Sequence, residues 1–129
     1  MKPIYIIALV WAFFHTCKPS QETASTPSIK PGVIEITEFK LKATVSDEDF
    51  KASARKIQTE FLEKQKGYLK RTLAVSKEKV WTDIVYWENQ KSFEDAGKLA
   101  EKSEAAQPFM ETIDFKTLKF NLLTPVISE

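Results

Sequence analysis

The sequence predicts an α+β fold of four strands and two helices in the order β-α-β-β-α-β. Three observations predict it. Four segments alternate apolar with polar residues, "VIEITEFKLK", "YLKRTLAVS", "KVWTDIVYWE" and "FKTLKFNLLTPV", which is the two-residue period of a half-buried strand. Two segments carry apolar residues at helical spacing, each behind a side chain suited to cap a helix. A short polar turn at Lys77 and Glu78 separates the second and third alternating runs, as in a hairpin.

Taken in order, "STPSIKPG" with its two prolines and one glycine closes a polar tether over residues 18–32, and the domain begins near Val33 and runs to residue 129. The first strand follows at 33–42. Ser46 then precedes Asp47, Glu48 and Asp49, acids that favour a helix N-terminus, and Phe50, Ala54, Ile57 and Phe61 line one face of a helix expected to stop at Gly67. Strands two and three occupy 68–76 and 79–88. Asn89 caps a second helix, "QKSFEDAGKLAEKSEAA", with Phe93, Ala96 and either Leu99 or Ala100 inward, and Gly97 is expected to allow close approach to the sheet. After Pro108, "FMETID" predicts one more helical turn, with Phe109 and Met110 closing one end of the core. The last strand runs over 115–126.

This order is the ferredoxin-like arrangement, an antiparallel four-stranded sheet with both helices on one face. Strand three is apolar on both sides, with Val80, Ile84 and Tyr86 on one and Trp81, Val85 and Trp87 on the other. Two helices cover only one face, so the other predicts a homodimer packed sheet to sheet. Asp83 interrupts this strand. If Val75 stands opposite Lys79, Arg71 stands opposite Asp83 and the two charges satisfy each other; a register one residue off pairs Thr72 with Asp83 and strands both.

Residues 1–17 read as a signal segment. "IYIIALVWAFF" behind Met1 and Lys2 is too short to span a bilayer as a mature helix. Cys17 stands where a lipoprotein leader is cleaved and its cysteine acylated, which would tie the domain to a membrane. Plain secretion and an uncleaved anchor are the other routes. All three predict export, to the cell envelope as a membrane-anchored lipoprotein on the first route and otherwise to the periplasm or outside the cell.

The single His is His15 and the single Cys is Cys17, both in that leader. Residues 18–129 therefore offer no Cys/His zinc site, no Ser-His-Asp or Cys-His nucleophile, no disulfide and no histidine for haem. Gly32, Gly67 and Gly97 are too far apart for a phosphate-binding loop. The 19 basic and 18 acidic residues become 18 and 18 without Lys2, so no nucleic-acid partner is implied. No metal or other cofactor is expected.

Three blocks carry a family resemblance: "GYLKRTLAV", "VWTDIVYWENQKSFEDA" and "PFMETID". In that order they resemble the opening of strand two, the strand-to-helix block and the segment before the last strand of the antibiotic-biosynthesis-monooxygenase-like (ABM-like) domains of the dimeric α/β-barrel superfamily. The resemblance covers residues 33–125. It implies a ferredoxin-like domain pairing as a dimeric α/β barrel, and it reaches cofactor-independent oxygenases, haem degraders and domains without activity alike. The missing histidine argues against the haem branch.

Pocket candidates on this reading are Tyr68, Arg71, Trp81, Asp83, Tyr86 and Trp87, with Glu35 as a base if it points inward. Asp83 has two readings, a structural partner of Arg71 or a catalytic pocket acid whose pKa Arg71 lowers. Two functions follow. The favoured one is an exported non-catalytic module that binds a small apolar or aromatic ligand or serves the envelope structurally; the other is a cofactor-independent monooxygenase acting on a phenol- or quinol-type substrate.

Overall fold

The structure, a computed structural model, describes residues 29–127. The leader, Cys17 and residues 18–28 of the tether lie outside the described residues. The elements are β1 (Val33–Leu41), α1 (Asp47–Glu60), β2 (Tyr68–Val75), β3 (Trp81–Trp87), α2 (Gln90–Ala100), α3 (Ala106–Glu111) and β4 (Ile113–Leu123). A single 3-10 turn, Leu62–Lys64, follows α1. The strands form one antiparallel sheet in the order β2-β3-β1-β4, which is the ferredoxin-like topology.

Local chemistry sets the element ends. The Ser46 hydroxyl accepts the Asp49 amide at the start of α1, and the Asn89 side chain accepts the Ser92 amide at the start of α2, each satisfying an amide that the helix leaves unpaired. Helix α1 ends at Glu60, short of Gly67, because Gln65 turns back and donates its side-chain amide to the Phe61 carbonyl. Gly67 serves the turn into β2 instead, at φ +80, and a Cβ there would meet Ser92 Oγ at 2.1 Å. Helix α2 likewise stops at Ala100, not at 106, because the Ser103 hydroxyl takes the Ala105 and Ala106 amides and starts a new helix. Pro108 falls in the first turn of α3, where a missing amide hydrogen costs nothing. Strand β4 starts at Ile113, two residues early, because Ile113 pairs with Leu41.

The β2–β3 register differs from the one expected by two residues. Val75 stands opposite Trp81, Leu73 opposite Asp83 and Arg71 opposite Val85. The cause is the turn, in which Ser76 pairs with Val80, the Ser76 hydroxyl accepts the Glu78 and Val80 amides, and Lys79 adopts φ 60. That left-handed residue is a role usually filled by glycine or asparagine, so the sequence carries no mark of it. A two-residue shift preserves side-chain facing, and Arg71 and Asp83 stay on the same face as diagonal neighbours.

The core lies between the sheet and the helices. Val33, Phe39, Trp81, Val85 and Trp87 from the sheet meet Phe50, Ala54, Ile57, Ala96 and Phe109 from the helices. Phe50 is wholly buried, with ring centroids 4.5 Å from Trp81, 5.5 Å from Phe109 and 5.7 Å from Phe39. Of the alternatives on α2, Ala100 packs inward and Leu99 is exposed. Gly97 does not mediate close packing, since an added Cβ would have no atom within 4 Å. Gly97→Ala should therefore raise stability by about 0.5–1 kcal/mol in urea unfolding, through the lower backbone entropy of the unfolded chain; a loss of stability would mean that the helix needs the open space.

The outer face of the sheet carries Ile34, Ile36, Ile84 and Tyr86, all half-buried. Ile34 pairs with Tyr86 and Ile36 with Ile84, while Leu123 flanks Ile34 on β4, so the apolar groups form one strip across three strands. No described helix lies over them.

Candidate functional site

Alternation along β1 and β3 aims Glu35 and Thr37, with Asp83, Val85 and Trp87, at the helix layer. Small residues on the facing helices, Ala96, Gly97 and Ala100 on α2 and Ala106 on α3, leave a gap there. The gap is a cavity of about 150 Å³. Its floor holds Glu35, Arg71, Asp83 and Trp87, and its walls include Ile57, Phe61, Phe93, Phe109 and Met110.

Two acids face this cavity with different chemistry. Asp83 is occupied: Arg71 Nε donates to Oδ1 at 2.7 Å and Nη2 to Oδ2 at 2.6 Å, with the Arg71 side chain 5% and the Asp83 side chain 11% exposed. Arg71 Nη1 also donates to the Ala54 carbonyl at 2.9 Å, and the guanidinium lies 5.1 Å from the Phe109 ring centre. The fork thus ties β2, β3, α1 and α3 together, with both Asp83 oxygens engaged.

Glu35 is the free acid. Its Oε2 accepts the Trp87 indole Nε1–H at 3.0 Å, and Oε1 has no hydrogen-bond partner among the described residues. Burial pushes the carboxyl above its usual 4.5, and the nearby Asp83 charge adds to the push, against the Trp87 hydrogen bond and Arg71. The folded protein therefore holds this proton to higher pH than the unfolded chain. Stability should fall as pH rises from 4.5 through the raised folded value, because ionising a buried acid opposes folding. Glu35→Gln removes this loss, so its stability relative to wild type should grow as pH goes from 4 to 8 in urea titrations. A pH-independent difference would contradict the assignment.

Of the residues singled out in the sequence, the cavity collects Glu35, Arg71, Asp83 and Trp87. Trp81 is 3% exposed and packs on Phe50 away from the cavity. Tyr68 does not line it either; the phenol oxygen accepts from Gln58 Nε2 at 2.7 Å and its ring meets Trp87 edge to face. Tyr86 is on the opposite face of the sheet, beneath the Lys70 ammonium at 4.3 Å. Sequence reasoning missed Leu62 and Ala106 in the wall and placed Phe109 and Met110 at a barrel end, whereas both border the cavity. Among the described residues no cluster of three or more His, Cys, Asp or Glu side chains is arranged to hold a metal ion.

Comparison with solved structures places this architecture. SnoaB, a cofactor-independent oxygenase from Streptomyces nogalater, superimposes with a TM-score of 0.62 at 18% identity, over 77% of this chain and 97% of that one. A proposed antibiotic biosynthesis monooxygenase from Bordetella bronchiseptica gives 0.63 at 18% identity, over 76% and 100%. The fold is that of the ABM-like proteins. The ActVA-Orf6 monooxygenase of Streptomyces coelicolor, solved with nanaomycin D, gives 0.52 at 13% identity over 77% and 91%. No protein-family model and no curated protein matches the sequence.

Proposed function

We propose that this domain binds a small, mostly apolar molecule of about one ring in the cavity floored by Glu35 and Trp87. The observation that carries the reading is a half-open, largely apolar space lined by Glu35, whose Oε1 has no hydrogen-bond partner among the described residues, the pattern of a site that fixes a ligand by shape and orients it by one polar contact. An apolar cavity of about 150 Å³ accepts a benzene-sized guest. Phenol is the simplest probe, its ring filling the cavity and its hydroxyl donating to Glu35 Oε1. At ten times its dissociation constant it should stabilise the protein by about 1.4 kcal/mol, a rise of several degrees in Tm. No shift up to saturating phenol would end this reading.

A second reading is cofactor-independent oxygenation, favoured by the raised pKa of Glu35. A carboxylate with its pKa lifted toward neutrality is a better proton acceptor than an ordinary one. In such a reaction Glu35 takes the proton of the ring hydroxyl, the phenolate reduces O2 and binds it at the para carbon, and loss of water leaves that carbon as C=O, so that a phenol and O2 give a quinone and water. Likeness to SnoaB and the other oxygenases supports it as far as the fold does. Oxygen uptake with a one-ring hydroxylated substrate, abolished in Glu35→Gln, would select the enzyme; binding without uptake would select the module.

The assembly belongs to the same proposal. The strip formed by Ile34, Ile36, Ile84 and Tyr86 is the surface that a second copy would cover, sheet to sheet. Tyr86→Ala should weaken dimerisation about 30-fold or more in sedimentation equilibrium, the loss expected of a central aromatic anchor. A wild-type monomer at micromolar concentration would refute the dimer. Export with acylation at Cys17 is part of the reading too, and the mass of the mature chain from membranes decides it.

A further inference from the structure

Beside the inner cavity lies an outer groove of about 540 Å³, lined by Lys42, Glu101, Gln107, Glu111 and Phe115. Three residues line both spaces: Gly97, Ala100 and Met110. Two of these present no side chain larger than a methyl, and a Cβ on Gly97 would meet nothing within 4 Å beyond its own stretch of helix. Met110 supplies the bulk of the division. It is 40% exposed, sits in the last turn of the six-residue helix α3, and is an unbranched side chain with three rotatable bonds. Its buried neighbour Phe109 anchors the backbone at 5% exposure, so the Met110 side chain can swing without moving the helix.

We propose that Met110 is a movable door, and that cavity and groove are the inner and outer halves of one channel for an elongated ligand. The ligand class is a hydroxylated ring with a second, para-directed substituent: the ring's hydroxyl meets Glu35, and the substituent passes under Met110 to the outer groove, whose largely apolar lining carries Lys42, Glu101 and Glu111. The inference rests on the cavity being a ligand site and adds its way in and its length limit. Gly97 and Met110 become the residues that set specificity. The groove's two carboxylates against one lysine make its outer end better suited to a neutral or cationic group than to an anionic one.

The test uses phenol, which the inner cavity holds alone, and 4-phenylphenol, which is too long for it. Met110→Ala, Met110→Leu and Gly97→Leu are compared with wild type, each after its unfolding midpoint shows a folded protein. Opening the door with Met110→Ala should tighten 4-phenylphenol about 10-fold while changing phenol much less; Met110→Leu should resemble wild type; and Gly97→Leu, which plugs the passage, should weaken 4-phenylphenol about 10-fold, factors on the scale of a methylene-sized change in a pocket. If phenol binds and 4-phenylphenol responds to neither Met110→Ala nor Gly97→Leu, the door is wrong and the cavity reading stands. If phenol fails to bind wild type, the cavity reading fails and the door falls with it.

Discussion

Asp83→Asn should lower the stability of the domain by about 3–5 kcal/mol, because it leaves the buried Arg71 guanidinium without its counter-charge. Desolvating the guanidinium is repaid only while both carboxylate oxygens accept from it, at 2.7 and 2.6 Å. An amide offers one acceptor and turns a donor toward Nη2 or Nε. The joint change Arg71→Met with Asp83→Leu removes both charges and fills the space with apolar volume, so it should recover much of the loss, as apolar replacement of buried ion pairs does. It should not recover all, since Arg71 also donates to the Ala54 carbonyl. Urea midpoints at constant m-value measure the set. Strictly additive losses would show that the two residues do not act as a pair.

Trp87→Ala should cost about as much, ~3–5 kcal/mol, by leaving a large hole in a packed core. Trp87 is 2% exposed, and Tyr68 and Phe93 meet its ring edge to face with centroids 6.0 and 6.5 Å away. The same substitution takes away the indole donor that opposes the upward push on Glu35. Trp87→Phe separates the two effects: it keeps most of the packing, costs less, and should raise the Glu35 pKa further, moving the pH-dependent loss of stability to higher pH. A Trp87→Phe profile identical to wild type would mean that the hydrogen bond carries no weight in solution.

Much of this arrangement was legible because strands alternate with a period of two. That period put Arg71 and Asp83 on one face whether the hairpin closed at Lys79 or, as it does, two residues further on. The turn itself was not legible, since a lysine at φ 60 gives no glycine or asparagine signal. Glu35 could have been assigned inward by parity alone, since Val33 and Phe39 on either side of it are core residues. Its direction stayed open in the sequence, because Glu38 and Lys40 put further charges on the same strand. The cavity was beyond sequence reading: it arises where Ala96, Gly97, Ala100 and Ala106 face the sheet, and which small residues end up opposite one another is decided by how α2 and α3 pack. Alternation put Tyr86 and Trp87 on opposite faces, and only the packing of the helices shows that Trp87 is the one turned into the core.

The central claim is that the space beneath α2 and α3 is a ligand site oriented by Glu35. Nuclear Overhauser contacts between bound phenol and the protein test it most directly. The account predicts contacts from the phenol ring to the Trp87 indole, the Ala96 methyl and the Phe109 ring, all cavity-lining groups, together with weaker binding in Glu35→Gln. Contacts confined to surface residues, or saturable binding with no contact to those three groups, would contradict it.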